Sequence, residues 1–317
     1  MILIADSGST KTEWLLVGKQ GIERTFRTSG INPYFLGEEE IRRVLTREVL
    51  VELPIERITD VYFYGAGCIG LPGEMLCLQL HRVIGPDTVE VNSDLIGAAR
   101  ALFGDKAGIV AILGTGSNSG FYDGRDIILQ TPSLGFILGD EGSGSDLGKH
   151  LLSDAMKGLL PEELAKAFFD RYAVSKEDVL EAVYRRPLPN RYVAQFSLFI
   201  REHLDDIYLR ALVAKRFEAF FRRNVFAYPY KEYPVCCVGS VAYHYSGLLR
   251  EVADTLSVNL GPVLSSPGEA LAHYHAERMS EKKYERSTEV DRITVVIQPS
   301  RKKNGGRNFD GKQCRRS

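Results

Sequence analysis

Residues 2–17, ILIADSGSTKTEWLLV, decide the fold of this chain. An apolar run, Ile2–Ala5, ends in a turn rich in Gly, Ser and Thr, and a second apolar run, Trp14–Val17, follows that turn. Short apolar runs bounded by such turn residues are typical of buried β-strands. The stretch therefore predicts two paired strands joined by a turn that presents polar groups.

The same pattern returns about a hundred residues further along the chain. Ile109–Leu113 is an apolar run, residues 114–118 (GTGSN) form a polar glycine turn, and Ser119–Tyr122 resumes the extended pattern. Two such units in corresponding places predict two related α/β halves that face each other across a cleft. Two unrelated hairpins account for these units equally well, because such turns are common.

Strand and helix patterns alternate through the rest of the chain, which is typical of an α/β protein. We predict an N-terminal domain over residues 1–105, a C-terminal domain over residues 106–277 and a tail over residues 278–317. The periodicity predicts strands at Val61–Tyr64, Thr88–Val91, Val235–Val238 and Val258–Val263, and helices at Glu38–Leu50, from Asp94, from Leu204 toward Phe226, at Tyr243–Leu256 and at Pro267–His275.

The composition is that of a globular protein, with 44% hydrophobic and 26% charged residues in a chain of 317. No apolar stretch approaches the roughly 18–20 residues of a membrane helix, and the first residues lack the basic and apolar regions of a signal peptide. None of the five cysteines forms a CxxC pair, which argues against a disulfide framework or a zinc site; they are Cys68, Cys77, Cys236, Cys237 and Cys314. We therefore expect a protein of the reducing cytoplasm that does not bind membranes.

The charge is unevenly distributed along the chain. Residues 278–317 contain 12 Lys and Arg against 5 Asp and Glu, whereas the preceding 277 residues contain 28 against 36. An acidic body lacks the broad basic face of a nucleic-acid-binding protein. The basic tail has the composition of a solvated, disordered end, and we expect no nucleic-acid partner.

The turn at residues 6–12 (DSGSTKT) is suited to holding phosphate. It offers backbone N–H groups and hydroxyls, which are the donors that cradle phosphate oxygens. Asp6 stands at the end of the first strand, where its carboxylate could hold a Mg²⁺ ion beside those oxygens. The turn is not a Walker A loop, because GxxxxGK[ST] is absent. An ordinary hairpin turn is the alternative interpretation.

The turn at residues 114–118 repeats this chemistry in the second half. Two such turns could grip one polyphosphate from opposite sides. Gly239 and Ser240 follow a predicted strand and open a predicted helix, where small residues let a flat purine lie against the backbone. Close packing of helix on strand would explain the same small residues.

Asp94 lies where a predicted strand ends and a helix begins. Ligands bind beyond the carboxyl ends of parallel strands, so this carboxylate is predicted to point at the cleft. The helix N-terminus should keep it ionised and ready to accept a proton from a substrate hydroxyl. Asp is also a preferred N-cap residue, and both roles can coexist.

Asp140 and Glu141 stand together in a glycine-rich loop, residues 139–145 (GDEGSGS), just before a predicted helix. Short acidic side chains in such a loop suit hydrogen bonds to the vicinal hydroxyls of a sugar. Alternatively, Ser143 or Ser145 caps the helix and the acids favour its dipole. Asn32 is a similar polar loop residue, held extended by the proline after it, or simply a turn residue.

Taken in order, these motifs resemble the N-acetylglucosamine kinase-like (BadF/BadG/BcrA/BcrD) ATPase family of the sugar kinase–Hsp70–actin superfamily. The resemblance extends from about Met1 to His275. Its motifs are DSGSTKT (6–12), GAGCIG (65–70), NSD (92–94), LGTGSNS (113–119), GDEGSGS (139–145) and VGSVA (238–242).

The resemblance implies two ribonuclease-H-like (actin-like ATPase) domains that close on ATP and Mg²⁺. It implies phosphorylation of an amino sugar, foremost N-acetylglucosamine at its 6-hydroxyl, and it leaves a homodimer open. Asp6 would organise Mg²⁺, and Asp94 would be the general base. The phosphates would lie between the two turns, with Ser9, Thr10 and Lys11 on one side and Gly114, Thr115, Gly116 and Ser117 on the other. The adenosine would contact Gly239 and Ser240. The sugar would contact Asn32, Asp94, Gly135, Asp140 and Glu141.

Three features depart from the family pattern. The first turn opens with Asp6 and Ser7 where eukaryotic-type members have only glycine. Leu134 and Gly135 stand where an aromatic sugar contact is expected, and the segment after Arg278 matches nothing in the family.

Two other functions are compatible with this fold. An ATPase that activates an iron–sulfur dehydratase or reductase needs cysteines for a shared cluster and a DIGGQD-type second turn, whereas this chain has LGTGSNS. A non-enzymatic sugar or nucleotide sensor would keep the phosphate turns and lose the base, yet Asp94 is present.

Overall fold

The computed structural model describes residues 1–8, 11–54 and 57–286, with side chains up to residue 279. Two five-stranded sheets form its framework. The first sheet has the order β3-β2-β1-β4-β5; its strands are β1 (Ile2–Ser7), β2 (Lys11–Gly18), β3 (Gly21–Ser29), β4 (Asp60–Gly65) and β5 (Thr88–Ser93). The second has the order β10-β9-β6-β7-β8; its strands are β6 (Gly108–Leu113), β7 (Ser117–Tyr122), β8 (Ile127–Leu129), β9 (Val235–Val238) and β10 (Leu260–Leu264).

The two sheets share one topology. In each, the first strand pairs antiparallel with the second and parallel with the fourth, and the third and fifth strands form the edges. The α/β class and the two related halves predicted from the repeated hairpins are therefore confirmed.

Thirteen α-helices occur in the part of the chain that the structure describes. They are α1 (Glu38–Val44), α2 (Leu71–Ile84), α3 (Asp94–Phe103), α4 (Gly135–Leu138), α5 (Gly144–Met156), α6 (Glu162–Tyr172), α7 (Lys176–Tyr184), α8 (Pro189–Ala194), α9 (Ser197–Glu202), α10 (Ile207–Phe220), α11 (Ser240–His244), α12 (Ser246–Thr255) and α13 (Gly268–Arg286). A π-helical turn extends α1 over Leu45–Val49, and another extends α10 over Phe221–Val225. Among the described residues, none of these helices combines the length and apolar character needed to cross a membrane.

Helix α3 lies between the two sheets. Its Leu95, Ala98 and Ala99 pack with Val110 and Tyr122 of the second sheet. Ile96, on another face of α3, packs with the first sheet and with α13. The helix that begins at Asp94 thus contacts both halves.

The last helix returns to the first half. Leu271 and Ala272 of α13 are buried against Ile2 and Ile4 of β1. We predicted residues 106–277 as the C-terminal domain; those boundaries remain predictions, but this helix packs on the first sheet.

Three predicted helix boundaries were wrong. Asp206 accepts hydrogen bonds from the N–H groups of Tyr208 and Leu209 and caps α10, so the helix starts at Ile207 and not at Leu204. The helix predicted at residues 243–256 is divided between α11 and α12.

The last helix also continues beyond its predicted end at residue 275, and so past the predicted start of the tail at residue 278. Arg278 is part of α13, where it pairs with Asp105 and lies over the ring of Tyr274. These contacts were not visible in a pattern of apolar spacing. The rest of the predicted tail, residues 287–317, lies outside the described residues.

Candidate active site

The carboxyl ends of β1 and β5 bring two acids of the first half together. Asp6 is in register with Tyr64 of β4, and Tyr64 is in register with Asn92 of β5, two residues before Asp94. Burial first, and then the negative charges of Asp94 and Glu13, raise the pKa of Asp6 to about 7. The two predicted functional carboxyls therefore lie within electrostatic reach of each other, at the edge where a parallel sheet binds ligands.

Asp94 is the first residue of α3 and not its cap. The hydroxyl of Ser93 accepts a hydrogen bond from the N–H of Ile96, at 3.3 Å, and fills the cap position. Asp94 Oδ1 accepts from the N–H of Leu95, at 2.9 Å. Burial nevertheless raises the pKa of Asp94, outweighing the N–H that would lower it. The helix N-terminus therefore does not bring the pKa of Asp94 below its ordinary value, and the ionised state of Asp94 stays a prediction. The raised pKa makes the ionised carboxylate a stronger base.

The first polar turn is held by hydroxyls on its two strands. Ser7 Oγ lies 2.7 Å from Thr12 Oγ1 and donates to the carbonyl of Ile31, at 2.9 Å. Lys11 is exposed, and its positive charge partly offsets the rise in the pKa of Asp6. Ser9 and Thr10 lie outside the described residues, so their predicted phosphate contacts stay predictions.

The second polar turn is clamped from two sides. The N–H groups of Gly144 and Ser145, at the start of α5, donate to the carbonyls of Gly114 and Thr115, at 2.8 and 3.0 Å. On the other side Gly239 has φ +123°, and a Cβ there would lie 2.4 Å from the carbonyl oxygen of Leu113. Only glycine fits this approach, so the turn after β9, with Ser240, lies directly beside residues 114–117.

Asp140 lies against this second turn. Its Oδ1 accepts from the N–H of Ser117, at 3.0 Å, and a Cβ on Gly116 would lie 3.0 Å from its Oδ2. Burial raises the pKa of Asp140; the Ser117 N–H opposes this and Glu141 adds to it. The residue predicted as a sugar contact is thus next to the predicted phosphate site.

Glu141 points to other partners. Its carboxylate accepts from Arg223, at 3.0 Å, and from Asn224, at 3.2 Å. Burial alone would raise the pKa of Glu141, but its own backbone N–H and these two side chains outweigh burial and lower it. A sugar contact by Glu141 would have to share a carboxylate that already anchors its loop to the end of α10.

Asp146 anchors the same loop from inside. It is buried, accepts from Arg216 Nε at 2.7 Å and from the Gly142 N–H at 2.9 Å, and follows Ser143, which caps α5. Of the two serines considered from the sequence, Ser143 is the cap.

Asn32 and Gly135 lie on loops of opposite halves. Asn32 Oδ1 accepts from the Tyr34 N–H, at 3.0 Å, and a Cβ on Gly67 would lie 2.2 Å from that oxygen. Gly135 is exposed, with φ +69°, at the start of the short helix α4. The next residues on each loop include exposed apolar side chains, which the sequence analysis did not single out; they are Tyr34, Phe35, Ile137 and Leu138.

Glu13 and Cys68 also lie near the two acids, and the sequence analysis missed both. Glu13 is opposite Asp6 in the hairpin, and its carboxylate accepts from Arg27 at 2.8 Å and from Ser266 at 3.2 Å. Burial and then Asp94 raise the pKa of Cys68. The alternation of side chains in the first hairpin could have indicated Glu13, whereas nothing in the sequence places Cys68 beside Asp94.

A small cavity adjoins Ser240, after the turn that follows β9. Its volume is about 120 Å³, and it lies between α9 and α11 with Tyr245; its other lining residues are Ser197, Leu198, Arg201, Ser240, Val241 and His244. A larger groove of about 820 Å³ lies near the C-terminal end of α3, away from Asp94, and its lining includes Arg100, Asp105 and Tyr274. None of the predicted site residues lines the larger groove, whereas Ser240 lines the small cavity.

The site suits a metal ion that is held partly by its substrate. In the described part of the chain, no three His, Cys, Asp or Glu side chains converge to form a metal cage. Mg²⁺ is commonly bound through one or two carboxylates together with substrate phosphates and water. Asp6, with its pKa raised by burial and two neighbouring acids, fits that role because a cation would relieve the repulsion.

Comparison with solved structures gives matches over most of the chain. A candidate N-acetylglucosamine kinase from Porphyromonas gingivalis is 45% identical with a TM-score of 0.86, over 88% of this chain and all of that one. A candidate N-acetylglucosamine kinase from Chromobacterium violaceum is 17% identical with a TM-score of 0.66, over 86% and 98%. A ROK family glucokinase from Streptomyces griseus, in complex with glucose and AMPPNP, is 15% identical with a TM-score of 0.52, over 86% and 97%.

The last two matches establish the fold alone. No family model and no curated protein matches the chain.

Proposed function

Since this chain belongs to the N-acetylglucosamine kinase-like family of the sugar kinase–Hsp70–actin superfamily, we propose that it is an ATP-dependent sugar kinase whose substrate is N-acetylglucosamine, phosphorylated at its 6-hydroxyl. The 45% identity to the P. gingivalis protein over that protein's whole length is the basis for the family assignment. The observation that carries the reaction is the pair Asp6 and Asp94, electrostatically coupled at the carboxyl edge of the first sheet.

Asp94 is the proposed general base. Its raised pKa makes it a suitable acceptor for the proton of the attacking hydroxyl. The Leu95 N–H holds one carboxylate oxygen, which orients the other. When bound, ATP would supply the phosphoryl group, and Mg²⁺ held by Asp6 would neutralise the charge of the phosphates. Because phosphoryl transfer depends mainly on positioning and charge neutralisation, these two acids carry the essential roles.

The second half is proposed to hold the nucleotide. The backbone N–H groups of Thr115 and Gly116, in the clamped turn, are proposed to donate to the phosphates, since those of Gly114 and Ser117 already donate within the protein. Ser9, Thr10 and Lys11 of the first turn are proposed to bind the phosphates from the other side. Gly239 and Ser240 lead from this turn to the small cavity between α9 and α11. We assign the adenosine to that cavity. The sugar contacts proposed are Asn32, Gly135 and Asp140, with Asp140 at the junction of sugar and phosphate. The family resemblance also implies a sugar contact for Glu141, but we propose that Glu141 holds its loop through Arg223 and Asn224 instead.

The cysteines disfavour the role of an iron–sulfur activator. Of those in the described residues, Cys68, Cys77, Cys236 and Cys237 are buried and unbridged. Burial raises the pKa of each thiol. A cluster shared between subunits needs accessible thiolates.

The cytoplasmic location and the homodimer stay predictions.

A coupled ADP-release assay with Mg-ATP tests the proposal. It is run over glucosamine, N-acetylglucosamine, N-acetylmuramic acid, N-acetylmannosamine and glucose. ADP release stimulated foremost by N-acetylglucosamine, with a 6-phosphate product by NMR, is the expected result. Stimulation by another of these sugars would keep the kinase and correct its substrate. Slow ATP hydrolysis that no sugar stimulates would favour the activator-type ATPase, and ATP binding without hydrolysis would favour a sensor.

A further inference from the structure

A buried polar network lies beneath α3, away from the predicted substrate contacts. The hydroxyl of Tyr64 accepts from Arg100 Nη1, at 2.8 Å, and lies 2.7 Å from His275 Nε2. Arg100 Nη1 also donates to Glu90 Oε1, at 2.7 Å. These four side chains come from β4, α3, α13 and β5, so the network joins both helices to the first sheet.

The ring of Tyr64 also sets how closely α3 approaches that sheet. A Cβ on Gly97 would lie 2.8 Å from Tyr64 Cβ and Cγ, so the helix backbone rests directly on this residue. Asp94, Gly97 and Arg100 are three residues apart and therefore share one face of the helix. Tyr64 contacts the middle and the far end of the face whose first residue is Asp94.

The network holds α3 on the first sheet, although the helix also packs against the second. Leu95, Ala98 and Ala99 pack on the second sheet, and such apolar contacts are non-directional. The hydrogen bonds of Tyr64 and Arg100 are directional, and they join α3 to the sheet that carries Asp6. The side chain of Arg100 is only 10% exposed, so a partner lost there would leave a buried charge poorly satisfied.

We propose that Tyr64 is a positioning residue for phosphoryl transfer: with Arg100 and His275 it holds α3 against the first sheet, so that Asp94 stays in place beside Asp6. The inference rests on the proposed function for its consequence in catalysis. It does not rest on that function for the placement of α3, which can be measured separately.

Tyr64→Phe tests the proposal, with Tyr122→Phe as its matched control. Tyr122 is also buried, and its hydroxyl donates to the carbonyls of Gly104 and Gly124, at 3.0 and 2.9 Å, near the opposite end of α3. Both variants remove one buried hydroxyl and should lose similar stability. Because small misplacements of reacting groups cost up to ~10²-fold, Tyr64→Phe should lower kcat by ~10–100-fold with KM for ATP changed less than ~3-fold. Tyr122→Phe should keep kcat within ~2-fold.

A second variant separates position from hydrogen bonding. Gly97→Ala keeps every group of the network but forces α3 and Tyr64 apart, and it should also lower kcat with little change in KM for ATP. Normal kcat in a folded Tyr64→Phe or Gly97→Ala protein would overturn the proposal. Equal losses of kcat in Tyr64→Phe and Tyr122→Phe would show that Tyr64 acts only through stability.

Hydrogen exchange decides the structural part independently of activity. Tyr64→Phe should speed exchange of the Leu95 and Ile96 amides, in the first turn of α3, more than Tyr122→Phe does. Equal exchange in the two variants would contradict the proposal. If the wild-type protein showed no sugar-dependent ADP release, the proposed function would fail, while this measurement would still report whether Tyr64 holds α3.

Discussion

The two halves of this molecule share a topology, but the pKa values of their acidic residues are shifted in different directions. In the first half, the pKa values of Asp6 and Asp94 are raised by burial, and Asp6 gains further from neighbouring acids. In the second half, Glu141 and Asp146 are also buried, yet hydrogen bonds from Arg223, Asn224 and Arg216 help to lower their pKa values.

The difference separates two uses of a buried carboxyl group. A carboxylate that accepts hydrogen bonds from cations and N–H groups stabilises a loop. A carboxylate that is buried beside other negative charges instead tends to bind a proton or a metal ion. Asp140 stands between these cases: it accepts one N–H but keeps a raised pKa. We therefore place the chemistry in the first half and the nucleotide scaffold in the second.

Among the substitutions that test this comparison, Asp94→Asn should have the largest effect. Loss of a general base costs ~10²–10⁴-fold in kcat, whereas KM for ATP should change less than ~3-fold. In the wild-type protein, activity should fall as pH drops through the pKa of Asp94, at a pH above the ordinary aspartate value of 3.8. Asp87→Asn, on an exposed loop before β5, is the control. Full activity in Asp94→Asn would remove the base assignment.

Asp6→Asn should make the protein more stable at high pH. A raised pKa means that ionising Asp6 is harder in the folded state, so stability falls as pH rises from 3.8 to about 7 and stays reduced above it. The neutral variant avoids this loss, so without Mg²⁺ its free energy of unfolding should exceed that of the wild type by ~4 kcal/mol at pH 8 and by little near pH 4.

Urea denaturation at the two pH values measures this difference. Asp60→Asn, at the other end of the first sheet, is the control. Mg²⁺ added to the wild-type protein should recover part of the difference at pH 8. An equal gain at both pH values would show that the charge of Asp6 is not responsible.

Glu141→Gln should have the smallest effect, mainly on stability. The glutamine keeps hydrogen-bonding capacity but loses the charge facing Arg223, which is itself largely exposed. We expect a loss of ~1 kcal/mol in the free energy of unfolding and a sugar KM within ~2-fold of the wild type. Asp140→Asn is the comparison and should raise the KM for sugar or ATP by ~10-fold. A tenfold rise in sugar KM for Glu141→Gln at unchanged stability would instead show direct sugar contact, as the family resemblance implies.

Strands β3 and β8 show where sequence periodicity is insufficient. β3 is mostly exposed and contains charged residues such as Glu23 and Arg24, so it has no apolar run. It forms because β2 offers a paired edge, and β8 pairs with β7 in the same way. The inner strands were predicted because each is buried and therefore apolar.

Adjacent acids show the same limit at the site. Asp140 and Glu141 are indistinguishable as neighbours in a glycine loop. The chain takes φ +59° at Asp140, and the two side chains then meet different partners, Ser117 and the distant pair Arg223 and Asn224.

The sequence by itself determined the repeated strand–turn–strand units, the polar turns between strands and the placement of Asp6 and Asp94 at strand ends. These follow from local spacing, because strand ends and turns depend on neighbouring residues. Only the tertiary structure decided the protonation tendencies of the acids, the return of α13 to the first sheet and the seating of α3 on Tyr64. Burial and charge pairing depend on residues far apart in the chain, such as Tyr64 and His275, and no local pattern records which of them will meet.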